Sequence, residues 1–472
     1  MRETEGKQEK STKMEIDQEG SRINSLPDSL LLHILSFLEM KYVMRTSVVS
    51  KRWKDLWASV PNLIFSLSKS DVRSEPLLRK FMDFVDRVLL LRDSTTIQKF
   101  SLAHRREWWE RPFNLNHINS WVCTVTKCNV EHHIVDVYLA DYELFNVPSS
   151  LFTCKSLVEL CLADQVFIDF PSSIYLPNLK TLKFSMIGLG DGLNQRLFSG
   201  LPRLENLSIH VHSFSDEDMD ILIDIFAPKL REVRMFLIAG KADYYPNVHN
   251  VKVLIDSPML EYLLIDDICD ALYSIKNKSS SLVKAQIEVG PDFSLDAGRV
   301  LETFKGVSQV KHMELFGSTM RALGSVDGNA LFTFRNLTHL GLSYDNLLKL
   351  PEALQRMPIL ESLDVCNWTG KEDRSEVEDI DLSDDDDLSG EFNWLQSEIV
   401  PSCLVTHLRV VRFDTFEGKN DVQLVKYLLK NSKVLGKMTI SLPCYLSGEK
   451  KKFHEKILKF PTGSKTCQVQ FS

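Results

Sequence analysis

The 472-residue sequence lacks the patterns that mark membrane, secreted and zinc-binding proteins. It has no apolar run near the roughly 18 residues of a membrane span, and its charged N-terminus lacks the apolar segment of a signal peptide. Its nine cysteines have no paired C-x-x-C spacing, so neither a disulfide framework nor a cysteine zinc site is indicated. We therefore expect a soluble protein of the nucleus, the cytoplasm or both, without membrane contact.

Signatures of catalysis are also missing. Three glycines between positions 188 and 192 lack the G-x-G-x-x-G spacing of a nucleotide site, which favours a loop. His132 and His133 have no third ligand at metal spacing, so they are interpreted as solvent-facing or core histidines. We expect a protein that is not an enzyme, with no catalytic residue, no cofactor and no metal.

Charge is unevenly distributed along the chain, whose formal net charge is −8. Residues 372–391 are densely acidic, which predicts a solvated, mobile loop. Residues 104–109 combine basic residues with tryptophans, as nucleic-acid-binding surfaces do. This run is short and contains an acidic residue, so a nucleic-acid site is disfavoured. The lysines at 450–452 are interpreted as a solvated helix face, with a nuclear import signal as the second interpretation.

What the sequence does contain is, first, a compact apolar segment between Ser25 and Trp57. Pro27 stands where a helix accepts proline, in its first turn. Apolar residues follow at three- and four-residue spacing, namely Leu30, Leu31, Ile34, Leu35 and Leu38. Leu32 and Phe37 fall on the other side of the same helix. Fewer than about 40 residues rarely bury enough surface to be stable alone, so this two-sided apolar helix predicts docking on another protein.

The segment resembles an F-box, in the version common in plant F-box proteins with leucine-rich repeats. The resemblance rests on Leu26-Pro27-Asp28, on the apolar run 34–38 and on Ser50-Lys51-Arg52-Trp53. It implies binding to the Skp-type adaptor of a cullin and RING ubiquitin ligase. Carried over by position, the implied adaptor contacts are Leu26, Pro27, Leu30, Ile34, Leu35, Val49 and Trp53. Met40 departs from the family pattern and would alter only the local turn. An ordinary three-helix cap is the alternative.

An apolar triplet of the form L-x-x-L-x-L recurs through the middle of the chain. Its first members are Ile97, Ile134, Leu157, Leu179, Leu204, Leu230, Leu260, Leu282, Val310, Leu337 and Leu360. After Ile134 they lie 22 to 30 residues apart, close to the roughly 20 to 29 residues of leucine-rich repeats. The last two members of a triplet point to one side of a short strand. Stacked units would bury that side in a solenoid with parallel strands on its concave face. A plain α/β domain would explain one or two triplets only.

The segment beyond the acidic stretch continues this pattern. Triplets start at Leu408 and Leu435, and two helices and a closing strand are predicted over 421–431, 449–460 and 466–471. The segment resembles the FBD domain that follows leucine-rich repeats in plant F-box proteins, and it would cap the solenoid. The predicted fold is α/β, with an N-terminal three-helix F-box, a leucine-rich-repeat solenoid and an α/β C-terminal cap. The predicted boundaries are a disordered leader at 1–20, the F-box at 21–66, the solenoid at 67–370, an acidic mobile loop at 371–391 and the FBD-like cap at 392–472.

The resemblance implies a substrate-recruiting adaptor subunit of a Skp/cullin/F-box ubiquitin ligase, whose repeats bind a target protein. Outward strand positions mix both charge signs with aromatics, which favours a protein target over nucleic acid. The candidate target contacts are Arg234, Phe236, Tyr262, Asp266, His312, Glu314 and Phe316. The target could instead bind the loops or the cap. Two other functions stay open: a small-molecule-gated F-box receptor, and an F-box protein that acts outside ubiquitination.

The acidic stretch gives a first prediction. Deleting Glu376 to Ser389 should leave the thermal unfolding midpoint unchanged within about 2 °C, because a polar, charged loop buries no apolar area. The measurement is a calorimetric scan of the deletion variant beside the full chain. A fall of more than about 5 °C would show that the stretch is packed.

Overall fold

Parallel strands joined by helices, turns or further strands run through the part of the chain that the computed structural model describes. The described residues are 23–67, 75–93, 96–103, 115–136, 147–166, 171, 173–186, 195–211, 220–237, 250–269, 271–276, 281–289, 297–316, 319, 333–343, 350–366, 400–414, 419–441 and 450–471. The predicted leader and acidic loop lie outside them. The chain divides into two compact units, one of Met1–Ile187 and Gly200–Leu204, the other of Gly188–Ser199 and Glu205–Ser472.

Three short helices begin the first unit: α1 (Asp28–Leu35), α2 (Met40–Thr46) and α3 (Trp53–Leu56), followed by a 3-10 turn at Trp57–Ser59. Pro27 precedes α1 with φ −58°, the value that its ring imposes and that a helix start accepts. Leu31 and Leu35, four residues apart, are buried on one side of α1. Met40, the departure from the family pattern, is the first residue of α2 and is fully buried.

Five parallel strands follow in the first unit and pair in chain order. They are β1 (Asn62–Ser66), β2 (Lys99–Ala103), β3 (His132–Asp136), β4 (Glu159–Val166) and β5 (Thr181–Met186). The connections include α4 (Glu75–Leu90), α5 (Leu115–Lys127) and a 3-10 helix at Ser149–Thr153. Alternate residues face the core: Phe65 of β1 and Phe100 and Leu102 of β2 are at most 2% exposed.

One predicted triplet is wrong. The triplet starting at Ile134 places the wrong residues inward, because β3 aligns His133 with Phe100 of β2. The buried set is Val130, His133 and Val135, all at most 4% exposed, while Ile134 is only half-buried. A histidine occupies the central core position, so a search for apolar residues misses this repeat.

The His133 ring is an uncompensated polar group in the core. No hydrogen-bond partner of either ring nitrogen is found within the described ranges, and the ring lies 5.6 Å from that of Phe100. Burial lowers the pKa of His133 from 6.5 to about 4, so the imidazole is neutral at pH 7. Its neighbour His132 is half-exposed, and the Nδ1 atom of His132 lies 3.2 Å from Glu159 Oε2.

The second unit contains ten described strands that form one parallel sheet. In sheet order they are β6 (Asn206–Val211), β8 (Glu232–Leu237), β10 (Tyr262–Asp267), β12 (Lys284–Val289), β13 (His312–Leu315), β14 (His339–Ser343), β15 (Ser362–Cys366), β16 (Val410–Phe413), β17 (Lys437–Ile440) and β18 (Gln468–Phe471). Pairing is in register: Leu263 of β10 lies between Val233 of β8 and Ala285 of β12, and all three are fully buried. The strands of the FBD-like segment, β16 to β18, therefore continue this sheet.

A second sheet lies behind three of these repeats. Its parallel strands, β7 (Asp220–Phe226), β9 (Asn250–Asp256) and β11 (Leu272–Ile275), connect successive strands of the first sheet from β6 to β12. Ile221, Ile223 and Ile225 alternate along β7 and are buried, whereas Leu222 is 55% exposed. The next connection, between β12 and β13, contains the helix α7 (Ala297–Val307). These strands were not predicted.

Short helices complete the second unit and none is a membrane span. They are α6 (Gln195–Ser199), α8 (Leu350–Leu354), α9 (Ser402–Thr406), α10 (Lys419–Asn431) and α11 (Lys450–Leu458). Within the described ranges, no helix has the length and apolar character needed to cross a bilayer. The prediction of an α/β fold, with three N-terminal helices followed by a long run of parallel strands from repeat to repeat, is confirmed.

His133 gives the second prediction. Its pKa is lower in the folded than in the unfolded chain, so unfolding takes up a proton as the pH falls below 6.5. The contribution of the neutral His133 ring to the free energy of unfolding is fully present above pH 6.5. Between pH 7 and pH 5, titration of His133 should lower the free energy of unfolding by about 2 kcal/mol. His133→Leu should abolish this part of the loss in urea unfolding at the two pH values. His132→Gln, the matched control, should retain it. An equal loss in His133→Leu and in the parent chain would contradict the assignment.

Candidate functional site

Large apolar side chains crowd the solvent side of the predicted F-box segment. Leu30 and Ile34, one turn apart on α1, are 48% and 42% exposed, and Phe37 after the helix is 71% exposed. Between α2 and α3, Val48 and Val49 are 87% and 56% exposed. Side chains of this kind are usually buried in proteins, so this surface has the composition of a protein-binding site.

A buried layer supports this surface from within the first unit. Leu31 and Leu35 of α1 and Val43 of α2 are at most 1% exposed. Trp53 of α3 is 5% exposed, and its indole N–H donates a hydrogen bond of 2.7 Å to Asn24 Oδ1. The exposed residues therefore project from helices whose opposite sides are fixed by packing.

The guanidinium group of Arg52 ties the segment before α1 to the start of α3. It donates to the carbonyl oxygens of Asn24 and Leu26, the latter at 2.6 Å, and it forms an ion pair with Asp28 in which Nε lies 2.9 Å from Oδ1. A planar guanidinium spreads five N–H donors over three nitrogens and can reach acceptors that lie far apart, whereas the three donors of a lysine share one nitrogen. Leu26 and Pro27 lie inside the segment that Arg52 bridges.

The outward side of the sheet in the second unit carries a different kind of surface. We define the ion-pair cluster as Glu232 and Arg234 of β8, Tyr262 of β10, Lys284 and Gln286 of β12, and Glu314 of β13. Arg234 pairs with Glu232, and its guanidinium lies 5.3 Å from the centre of the Tyr262 ring. Lys284 Nζ lies 2.6 Å from Glu314 Oε1. The cluster thus joins four neighbouring strands.

Hydrogen bonds close the cluster between its two ion pairs. The Tyr262 hydroxyl donates to Gln286 Oε1, and Gln286 Nε2 donates to Glu314 Oε2. Burial raises the pKa of the Tyr262 hydroxyl, so it stays protonated and acts as a donor at neutral pH.

Two histidine rings lie beside the cluster. His312 of β13 and His339 of β14 are register neighbours, and their ring centres are 4.3 Å apart. Burial lowers the pKa of His312, and the nearby His339, Lys284 and Lys311 lower it further. The His312 imidazole is therefore neutral at pH 7.

Towards the C-terminal ends of the strands, a second row is aromatic and acidic. We define the upper row as His210, Phe236, Asp266, Glu288 and Phe316. Register places the first four side by side on β6, β8, β10 and β12, and the Phe316 N–H extends the ladder by donating to Ile287 O at 3.1 Å. The His210 and Phe236 rings stack at 4.0 Å with an interplanar angle of 14°. Burial raises the pKa of the Asp266 carboxyl group.

Comparison with known proteins gives the relationship of the whole chain. The F-box domain model matches residues 23–65, and the FBD model matches residues 396–440. A relative from Arabidopsis thaliana named as an F-box/FBD/LRR-repeat protein is 30% identical over 478 residues, which cover 97% of this chain and 99% of the relative. The chain belongs to the F-box/FBD/LRR-repeat family. F-box/LRR-repeat protein 13 of the same plant is 29% identical over 477 residues, covering 98% of each chain. The family resemblance predicted from the sequence is confirmed.

The predicted adaptor contacts of the F-box fall into two groups. The accessible ones, exposed or half-buried, are Leu26, Pro27, Leu30, Ile34 and Val49. Leu35 and Trp53 are 1% and 5% exposed and belong to the buried layer. The contact stays a prediction for the accessible group, and we now assign a supporting position to Leu35 and Trp53.

Register brings the candidate target contacts of the repeats onto one face. Arg234, Tyr262 and Glu314 belong to the ion-pair cluster, whereas Phe236, Asp266 and Phe316 belong to the upper row. His312 forms the pair with His339. None of these seven side chains is fully buried, and target binding by them stays a prediction.

Sequence reasoning left out residues that complete both surfaces. On the F-box these are the exposed Phe37 and Val48 and the bridging Arg52. On the repeats it is Gln286, which lies on the same side of β12 as the outward Lys284 and could have been found from its alternation with Ala285. Metal binding gains no support: no group of three potential ligand side chains is found within the described ranges.

Arg52 gives the third prediction. Arg52→Lys should increase hydrogen exchange at the backbone amides of residues 26–31 about tenfold, because lysine cannot reach the same acceptors together. Mass spectrometry of peptides from this region measures the effect. Lys54→Ala, an exposed neighbour on α3, is the matched control and should leave exchange unchanged. Equal exchange in Arg52→Lys and in the parent chain would show that packing alone fixes the segment.

Proposed function

We propose that this F-box/FBD/LRR-repeat protein is the substrate-recruiting adaptor subunit of a Skp/cullin/F-box ubiquitin ligase. The observation that carries the proposal is the exposed apolar surface of an F-box, with Leu30, Ile34 and Val49 each more than 40% exposed. An F-box implies a Skp-type adaptor as the partner that covers this surface, and through it the cullin and RING subunits. The protein acts in the nucleus, the cytoplasm or both.

The proposed mechanism requires no bond chemistry by this chain. The F-box attaches the protein to the ligase, and the repeat sheet holds a target near the conjugating enzyme. Tethering raises the effective concentration of the target's lysines, which turns a bimolecular encounter into an intramolecular one. In this proposal the protein is an adaptor and not an enzyme.

Target binding is assigned to the outward face of the second unit's sheet. Its mixture of aromatic, acidic and basic side chains suits a protein partner, since aromatic residues and arginine dominate protein interfaces. The proposed contacts are Arg234, Phe236, Tyr262, Asp266, His312, Glu314 and Phe316.

The cavity that the described residues form in the first unit gives the small-molecule receptor no support. A cavity of about 110 Å³ in the first unit is lined mainly by Phe65, Phe81, Phe84 and Leu77, with Glu39 and Lys41 at its polar side. Pockets that hold regulatory or drug-sized ligands measure about 300 Å³ or more. This cavity is too small for such a ligand.

The fourth prediction concerns the adaptor contact. Leu30→Ala combined with Ile34→Ala should weaken binding of a purified Skp-type adaptor at least about 100-fold, since buried apolar anchors are worth about 2 kcal/mol each. Both side chains are exposed in the free chain, so their truncation should leave the thermal midpoint nearly unchanged. Isothermal titration calorimetry measures the affinity.

Leu222→Ala is the matched control, because it removes an equally exposed apolar side chain from the second unit. It should bind the adaptor as the parent chain does. Undiminished binding by the double variant would refute the contact. A parent chain that binds the adaptor but fails to enter a complex with the cullin and RING subunits would instead favour a role outside ubiquitination.

A further inference from the structure

The charged side chains on the outward sheet face are unevenly compensated. In the ion-pair cluster, Arg234 and Lys284 neutralise two glutamates. Further along the sheet, Arg412 Nη1 donates to both carboxylate oxygens of Asp364, at 3.0 and 3.1 Å. A ligand that approached these acids would have to compete with cations already in place.

Asp266 differs from these acids. Among the described residues, none forms a hydrogen bond or an ion pair with its side chain. Its carboxyl group is half-buried, and burial is the cause of its raised pKa. Removing a carboxylate from water without a partner costs free energy, which an incoming cation would recover. Asp266 is thus the acid on this face that is best prepared to gain a partner.

The neighbours of Asp266 suit a cation. Phe236 lies beside it on β8 and Glu288 on β12. His210 on β6 covers one face of the Phe236 ring, so the opposite face is turned towards β10 and Asp266. Aromatic faces attract ammonium and guanidinium groups. At the same level on β14 and β15 stand Ser343 and Cys366, so no described position of this row from β6 to β15 carries lysine or arginine.

Hydrogen bonds to a buried carboxylate hold the end of β10. Asp267 is fully buried, and its carboxylate accepts hydrogen bonds from the backbone N–H groups of Cys269 at 2.7 Å and Ala271 at 2.8 Å. These bonds fix the turn that follows Asp266. A side chain on a fixed backbone binds a ligand with a smaller loss of conformational entropy.

We propose that the upper row binds a lysine or arginine side chain of the target protein, with Asp266 as its ion-pair partner and Phe236 as the aromatic ring that it contacts. This inference rests on the proposed function, because it specifies the chemistry of the target. An acidic segment would be repelled at the same position.

The test uses the full chain bound to a purified Skp-type adaptor, with a phage-displayed library of random dodecapeptides as the probe. Peptides selected by the parent chain should be enriched in lysine and arginine relative to the unselected library. Fluorescence polarisation of one selected peptide then gives affinities. Asp266→Asn, which keeps the shape and removes the charge, should weaken binding about tenfold or more. Phe236→Leu should weaken it by a smaller factor, about threefold.

Asp364→Asn is the matched control, because it removes a carboxylate from the same face but from a pair that is already formed. It should bind the peptide within about twofold of the parent chain. Replacing the basic residue of the peptide by glutamine should cause a loss at least as large as that of Asp266→Asn, and adding Asp266→Asn should cause no loss beyond that of the peptide change alone.

A selection without basic enrichment, whether it yields other peptides or none, overturns the inference. Equal losses in Asp266→Asn and Asp364→Asn, or additive losses in the combined experiment, overturn it as well. Adaptor binding is measured first on the same sample and tests the proposed function separately. A chain that binds the adaptor but shows no preference for basic peptides therefore contradicts this inference alone.

Discussion

Each strand of the parallel sheets has an apolar side that its own repeat cannot cover. Parallel pairing in register places this side next to the apolar sides of the neighbouring repeats, which cover it. Leu263 between Val233 and Ala285 is one example. The same register also aligns the outward side chains, since residues two apart along one strand meet their counterparts on the next. The ion-pair cluster and the upper row are consequences of this alignment. Burial of the core therefore decides which polar residues become neighbours on the outside.

The fold could be predicted where every core position of a repeat is apolar, and the prediction failed where it is not. His133 occupies a core position that the pattern reserves for leucine, so the predicted core positions of β3 were wrong. The strands β7, β9 and β11 were not predicted because they lack the spaced L-x-x-L-x-L triplet, although Ile221, Ile223 and Ile225 alternate with the period of a strand. On the F-box, spacing identified the helices but not their outer sides. Leu35 and Ile34 are adjacent apolar residues, and only packing in the folded unit decides that Leu35 is the buried one.

The two surfaces differ in the physical forces that they offer to a partner. The F-box surface is apolar and gains affinity by removing exposed side chains such as Phe37 and Val48 from water. The repeat face is polar, and its charges discriminate between partners more than they strengthen binding. Under the proposed function, this contrast suits an adaptor that many related proteins share and a target that one of them selects. An apolar patch can be shared across a family, whereas a pattern of charges can vary strand by strand.

The replacement of connecting helices by strands behind β6 to β12 has a geometric consequence. Neighbouring strands are about 4.8 Å apart, whereas packed helices need about 8 to 10 Å. A stack whose front and back advance by equal steps runs straight, and a stack with wider steps at the back must bend. The part of the second unit with strands on both sides should therefore be nearly uncurved, and bending should begin where α7 takes the place of a back strand. His210, Phe236, Asp266 and Glu288 all lie on the part with strands on both sides, so an extended peptide should be able to follow them with little bending.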